Sequence, residues 1–287
     1  MAKIVAVHGV GQQLKGENSL RAEWLPALRD GLSRIGAELP NDGDFVCPFY
    51  GDLFRKQGKK AGDPLYDASD LSEDWEIELL EQWWREAATV DPAMLPPDLR
   101  TKRRTPKSVQ RALDALSNSK FWAGVAEHLM IFDIKQARSY LNDDAIRRAI
   151  LDRVIKQISA DTKVLIGHSL GSIVAYEALC EHPEWQISTL VTLGSPLGIR
   201  NLIFDKLRPA PRLDRTLQPP GEWPTGVKRW TNIADAGDIA ALVKDLNPLF
   251  GHPLEDKRVD NGATAHYVQP YLTAKETGEA IAVGLAD

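Results

Sequence analysis

The segment Gly167-His168-Ser169-Leu170-Gly171 constrains the fold of this chain more than any other. An apolar run ending at Ile166 precedes it, and a run with helix-forming composition, residues 172–180, follows it. Between a strand and a helix, Gly-x-Ser-x-Gly forms a sharp turn, the nucleophile elbow, which exposes the serine hydroxyl. We therefore predict that Ser169 is a nucleophile, and that the Leu170 amide lies at a helix start, where negative charge is stabilised.

Apolar runs elsewhere in the chain alternate with helical patterns. The runs with the composition of buried strands are residues 4–7, 44–50, 187–193 and 227–233. Amphipathic or helix-forming patterns cover residues 19–35, 143–159 and 273–285. Strands that alternate with helices predict an α/β fold with a doubly wound, mainly parallel sheet.

Residues 52–140 have a different character. Their patterns predict helices at 73–89, 108–118 and 121–140, with a proline-rich polar hinge at 91–107. We therefore divide the chain into an α/β core, residues 1–51 and 141–287, and a helical cap inserted at 52–140.

Side chains of the cap have two predicted uses. Trp75, Trp83 and Trp84 have helical spacing and are expected to pack within the protein. Apolar residues from Phe121 to Phe132 could form an underside that suits an acyl or other hydrophobic substrate.

Composition excludes several classes of function. The net charge of −5 gives no general electrostatic attraction to nucleic acid. Cys47 and Cys180 are far apart, and no His or Cys pair has ligand spacing, so we expect neither a disulfide framework nor a metal. No leader pattern and no apolar stretch of about 18 residues is present, which predicts a cytoplasmic protein without an integral membrane segment. No sequence feature identifies a protein partner.

A serine nucleophile needs a base that a third group orients. His168 adjoins Ser169 in sequence and is expected to point away from it. His266, in a loop just before the terminal helix, is the favoured base because it comes late in the chain, as in the order Ser…Asp…His. His252, in a turn, is the alternative base.

Two carboxylates follow the apolar run 227–233. Asp238 is the favoured triad acid, and Asp235 is the alternative. A competing interpretation makes Asp238 the N-cap of a helix over residues 239–243, since aspartate is a preferred capping residue.

Two backbone amides are needed to hold the oxyanion. Leu170 supplies one, and Val10 is predicted to supply the other from the glycine-containing turn 8–11 after the first strand. The same turn could be a phosphate loop, but it lacks a third glycine and a following Gly-Lys-Ser/Thr. We therefore expect no nucleotide or other cofactor.

Together these features resemble the α/β-hydrolase fold, on its lipase and esterase side. The resemblance rests on the first loop, the elbow, Gly194-Ser195-Pro196, the stretch from Trp230 through Asp238, and the late histidine. It covers about residues 1–50 and 143–287, and it implies the roles given above to Ser169, Asp238, His266, Val10 and Leu170. Many members have two further strands before the His-Gly loop, so a sheet with a short N-terminal side is expected.

The expected activity is that of a serine hydrolase that cleaves a carboxylic ester, lipids and thioesters included, through an acyl-enzyme. One alternative is a serine peptidase or amidase on the same scaffold. A second is a non-catalytic interaction module. A third is a membrane-surface lipase with the insertion as its lid, although the helix predicted at 121–140 carries Asp133, Lys135 and Arg138.

Overall fold

The computed structural model describes residues 1–55, 66–97, 105–119, 127–212, 219–251 and 253–287. Its strands are β1 (Ile4–Val7), β2 (Phe45–Val46), β3 (Val164–His168), β4 (Thr189–Leu193), β5 (Arg229–Asp235) and β6 (Leu254–Val259). Its helices are α1 (Glu17–Ser33), α2 (Asp74–Val90), α3 (Pro106–Ser117), α4 (Glu127–Asn142), α5 (Asp144–Ile155), α6 (Leu170–Glu181), α7 (Asn247–Phe250), α8 (Val268–Thr273) and α9 (Lys275–Ala286).

All strand pairs of the described sheet are parallel, in the order β2-β1-β3-β4-β5-β6. The order reverses next to β1, because the chain first moves outward to β2 and then crosses back to β3. In such sheets the loops at the carboxyl ends of the strands form a crevice at the reversal point. The predicted doubly wound parallel sheet is confirmed.

Helices cover both faces of this sheet. The side chains of Ile4 and Ala6 belong to an apolar cluster that includes residues of α1, α8 and α9. Val5 and Val7 point to the other face and join a cluster that includes α5 and α6. This alternation along β1 follows from the period of two in a strand.

Three local predictions differ from the structure. The strand expected at 44–50 pairs with β1 only over β2, at the edge of the sheet. Strand β6 has the sequence Leu-Glu-Asp-Lys-Arg-Val, and without an apolar run it gave no strand signal. No helix forms over residues 239–243, where an N-cap role for Asp238 required one.

Helices α2, α3 and α4, from the predicted insertion, pack into the same apolar cluster as α5 and α6. Leu80 of α2, Leu113 of α3 and Ile134 of α4 are all fully buried in it. The indole N–H groups of Trp75 and Trp84 donate to backbone carbonyls at 2.8 and 2.9 Å, as expected of packing residues. Phe121 and Trp122, from the predicted apolar underside, lie outside the described residues.

Among the helices that the structure describes, none is both long and apolar enough to cross a membrane.

Candidate active site

Ser169 occupies the turn between β3 and α6 at the carboxyl edge of the sheet. Its φ of 53° and ψ of −126° lie outside the favoured regions for a non-glycine residue. Such a conformation costs about 1–3 kcal/mol and persists only where the surroundings enforce it. The Ser169 N–H donates to the Leu193 carbonyl at 3.0 Å, and a Cβ on Gly171 would overlap the Val7 carbonyl oxygen. Neighbouring backbone on both sides therefore holds the strained turn.

Side chains from three separate segments meet at this turn. His266 Nε2 lies 3.1 Å from Ser169 Oγ, and His266 Nδ1 lies 2.8 Å from Asp238 Oδ2. A neutral imidazole with its proton on Nδ1 donates to Asp238 and accepts from the serine hydroxyl. A general base needs this geometry to take a proton from serine. The structure thus brings together the three residues that the sequence favoured.

Asp238 and His266 shift each other's pKa values in the directions that stabilise their charged forms. Asp238 is fully buried, and burial raises its pKa, but His266 and hydrogen-bond donors outweigh burial and hold the pKa below its ordinary value. Burial is the largest single influence on His266 and lowers its pKa, but the charge and hydrogen bond of Asp238, together with the charge of Asp133, outweigh burial and raise the pKa. The pair therefore favours an ionised Asp238 and a base that accepts a proton readily.

Asp235 lies at the end of β5 and has other partners. Its carboxylate accepts the Gly237 N–H at 2.6 Å and also the Asn261 N–H. Asn261 begins the loop that carries His266, so Asp235 anchors that loop while Asp238 faces the imidazole. The alternative base, His252, lies outside the described residues.

The turn after β1 lies directly against the elbow. A Cβ on Gly9 would come within 2.6 Å of the Ser169 Cβ. His8 fixes this turn, because its Nδ1 donates to the Gly9 carbonyl at 2.7 Å and its Nε2 accepts the Tyr50 N–H at 3.2 Å. Burial lowers the pKa of His8 to about 4, so the ring is neutral at pH 7.

The two amides predicted to hold an oxyanion belong to the two turns that meet at Ser169. Val10 follows Gly9 and lines the same cavity as Ser169. Leu170 is the first residue of α6, so its N–H has no carbonyl four residues back within the helix. Their roles as oxyanion donors stay predictions.

A sequence profile of the family described as PGAP1-like alpha/beta domain matches residues 115–209. The matched segment runs from the end of α3 past β4 and includes the elbow. The chain has the α/β-hydrolase fold. The match suggests a hydrolase of the lipase and esterase type, while the comparison with curated proteins gave no significant match.

Two further side chains contact the group formed by Ser169, His266 and Asp238 without having been singled out for it in the sequence. The Tyr271 hydroxyl donates to Asp238 Oδ2 at 2.8 Å and accepts the Asp235 N–H at 2.9 Å. His168 Nε2 donates to the His266 carbonyl at 2.9 Å, and burial lowers the pKa of His168 to about 3. Tyr271 carried no sequence signal, since a tyrosine in a helix is most often a packing residue.

Loops at the carboxyl edge of the sheet and helix α4, from the predicted insertion, together line a cavity of about 570 Å³ beside Ser169. The turn after β1 contributes Val10 and Gly11, and the insertion contributes Leu129 and Asp133 from α4. A cavity of this size accepts a small organic ligand. Among the described residues, no group of three His, Cys, Asp or Glu side chains is placed to hold a metal ion.

Proposed function

We propose that this α/β-hydrolase cleaves carboxylic esters through a serine-bound acyl intermediate. One observation carries the proposal: a continuous chain of hydrogen bonds, 3.1 and 2.8 Å long, joins Ser169 Oγ through His266 to a buried Asp238. Ser169, at one end of this series of hydrogen bonds, lines a cavity large enough for a small ester. The strained backbone of Ser169 supports the proposal too, because strain of this kind is concentrated at functional sites.

In the first half-reaction, Ser169 Oγ attacks the ester carbonyl carbon while His266 Nε2 takes the hydroxyl proton. The Val10 and Leu170 amides stabilise the negative charge on the carbonyl oxygen. The tetrahedral intermediate then collapses, the bond to the alkoxy oxygen breaks, and His266 returns the proton to that oxygen. An alcohol leaves, and the acyl group stays bonded to Ser169.

In the second half-reaction, water gives a proton to His266 and attacks the acyl carbon. The bond to Ser169 Oγ breaks, and the proton moves from His266 to the serine. A carboxylic acid is released and the free enzyme is restored. Asp238 stays ionised throughout and stabilises the imidazolium at each step.

A panel of p-nitrophenyl esters of increasing acyl length tests the proposal. We expect wild-type hydrolysis of at least one ester and a loss of about 10³-fold or more in kcat for Ser169→Ala. Ser188→Ala is the matched control, since Ser188 is buried at the opposite end of the sheet from Ser169. Equal activity of Ser169→Ala and wild type would overturn the proposal, and faster cleavage of matched anilides than of esters would replace the ester with an amide.

A further inference from the structure

We propose that Asp133 gives the site a preference for esters that carry a cationic group close to the scissile carbonyl. The inference rests on the hydrolase activity proposed above and specifies the substrate class for the same site. It assigns to the insertion a direct contact with substrate.

Asp133 lies in the cavity that contains the candidate nucleophile. It is on α4 and lines the same space as Ser169 and His266. One of its carboxylate oxygens is 3.3 Å from the position that a Cβ of Gly11 would occupy. Gly11 follows Val10, so the carboxylate faces the turn that is predicted to hold the oxyanion. A substrate whose carbonyl oxygen enters that turn passes close to Asp133.

The other charged groups around the cavity already have partners. Lys15 and Glu23 form an ion pair at 2.5 Å, and Asp238 faces His266. On α4 itself, Lys135 turns away from the cavity to Glu76 of α2. Asp133 forms no ion pair with any residue that the structure describes, so its carboxylate is left to a ligand.

Burial of Asp133 strengthens the preference of the cavity for a cationic ligand. Burial raises the pKa of Asp133 to about 7, although His266 lowers it in part. A carboxylate in such a place gains most from a positive ligand, because the ligand restores favourable interactions that were lost with water. A primary or quaternary ammonium group supplies that charge.

The preference extends to the transition state. With a neutral ester, the Asp133 carboxylate repels the negative charge that develops on the carbonyl oxygen. With a cationic ester, the ammonium neutralises Asp133 and removes that repulsion. The discrimination should therefore appear in the rate of reaction at Ser169 and not only in binding.

Two phosphonate thioesters of equal shape test the inference, because a phosphonylated serine mimics the tetrahedral intermediate. One has a 2-(trimethylammonio)ethylthio leaving group, and the other has a 3,3-dimethylbutylthio group of the same shape. The ammonium group also lowers the pKa of the departing thiol, so each labelling rate is divided by the rate of alkaline hydrolysis of the same probe, and the comparisons use these normalised rates. For the wild type we expect second-order labelling of Ser169 to be about fivefold or more faster with the cation, the upper end for a partly screened ion pair.

The isosteric variant Asp133→Asn should bring that ratio to about one. It should also raise the rate with the neutral probe, because it removes the carboxylate that repels the developing negative charge. The matched control is Glu127→Gln, which removes one negative charge from the same helix. Glu127 accepts a hydrogen bond from Gln110 and is not among the residues that line the cavity. Its ratio should equal that of the wild type.

The wild-type ratio should also rise as the pH increases from about 6 to 8, because Asp133 loses its proton through this range. The ionisation of His266 affects both probes equally and cancels in the ratio. In Asp133→Asn the ratio should not change with pH.

The labelling results distinguish failure of this inference from failure of the proposed hydrolase activity. Equal labelling rates of the wild type with the two probes at pH 8 would overturn this inference and leave the serine hydrolase intact. A ratio that persists in Asp133→Asn would also overturn it. If neither probe labels Ser169, the proposed hydrolase activity itself fails.

Discussion

Among the single residues of the site, the two oxygens of the Asp238 carboxylate have different hydrogen-bond partners. Oδ1 accepts the N–H groups of Ala240 and Ala241 at 3.0 and 3.2 Å, as a capping residue would. Oδ2 meets His266 at 2.8 Å. The capping contacts exist although no helix follows, and they fix the carboxylate rigidly. Rigid placement matters because a misplaced acid would leave the imidazole without its orientation.

Replacing Asp238 should therefore harm the reaction far more than replacing its neighbour. We expect Asp238→Asn to lower kcat by about 10³- to 10⁴-fold, because an amide no longer stabilises the imidazolium or the required tautomer. Asp235→Asn makes the same chemical change three residues away, at a carboxylate that bonds Gly237 and Asn261 instead. Steady-state ester hydrolysis measures both variants, and equal losses would contradict the assignment of the acid.

The predictability of the site differs from residue to residue. Ser169 could be predicted because the elbow needs glycines at fixed offsets. His266 could be predicted because few histidines follow Ser169 in the sequence. Tyr271 and Asp133 reach the site from positions with no motif signal, and the motif does not specify the residue at position 168, so the contacts of these side chains became visible only in three dimensions. The catalytic roles themselves stay predictions until activity is measured.

At the scale of elements, a buried ion pair joins the elbow helix to its neighbours. Glu177 of α6 accepts hydrogen bonds from Arg147 of α5 at 2.9 and 2.5 Å and from the Tyr140 hydroxyl of α4 at 2.6 Å. The ionic side chains are only 3% and 2% exposed. Since α4 also carries Asp133, this cluster connects the helix behind Ser169 with the helix that lines the cavity.

Breaking this pair should destabilise the protein strongly. We expect Glu177→Gln to lower the free energy of unfolding by about 3 kcal/mol, because it leaves the Arg147 charge buried and unpaired. Glu181→Gln is the control one turn later on α6, where the pair with Arg148 is more than 40% exposed and worth about 0–1 kcal/mol. Urea unfolding measures both, and similar losses would show that the buried pair has no special role.

The elements were predictable to the extent that their patterns were strong. The apolar runs of β1, β3 and β4 and the amphipathic pattern of α5 predicted those elements within a few residues. The two edge strands could not be predicted from apolar runs, because β2 has only two residues and β6 carries charges on both faces. Residues 239–241 are apolar and buried next to Asp238, and that burial does not require a helix.

At the scale of the whole molecule, the insertion and the sheet share one apolar cluster. Leu80 and Leu113 of the insertion belong to the same cluster as Leu165 of β3 and Val174 of α6. Residues of the predicted insertion and of the sheet therefore pack in one core. Helix α4, which packs in this core through Ile134, also provides Leu129 and Asp133 to the lining of the cavity.

A cavity made inside the insertion should therefore weaken the sheet as well. We expect Leu80→Ala to lower stability by about 2–5 kcal/mol, as for other fully buried leucines. Cys47 is buried beside the edge strand β2. In a Cys180→Ser variant, the reaction of Cys47 with a thiol reagent therefore measures exposure of that edge of the sheet. Circular dichroism and Cys47 labelling should give coincident unfolding transitions. Loss of helical signal while Cys47 stays protected would contradict a shared core.

The proposed function requires Ser169 to attack an electrophilic centre with His266 as its base. Reaction with a simple fluorophosphonate, followed by mass analysis of the intact chain and its peptides, measures this attack. We predict one phosphonyl group per chain, on the peptide containing Ser169, with labelling slowed by about 10³-fold or more in His266→Ala. An unmodified wild-type chain, or a label that persists in Ser169→Ala, would contradict the account.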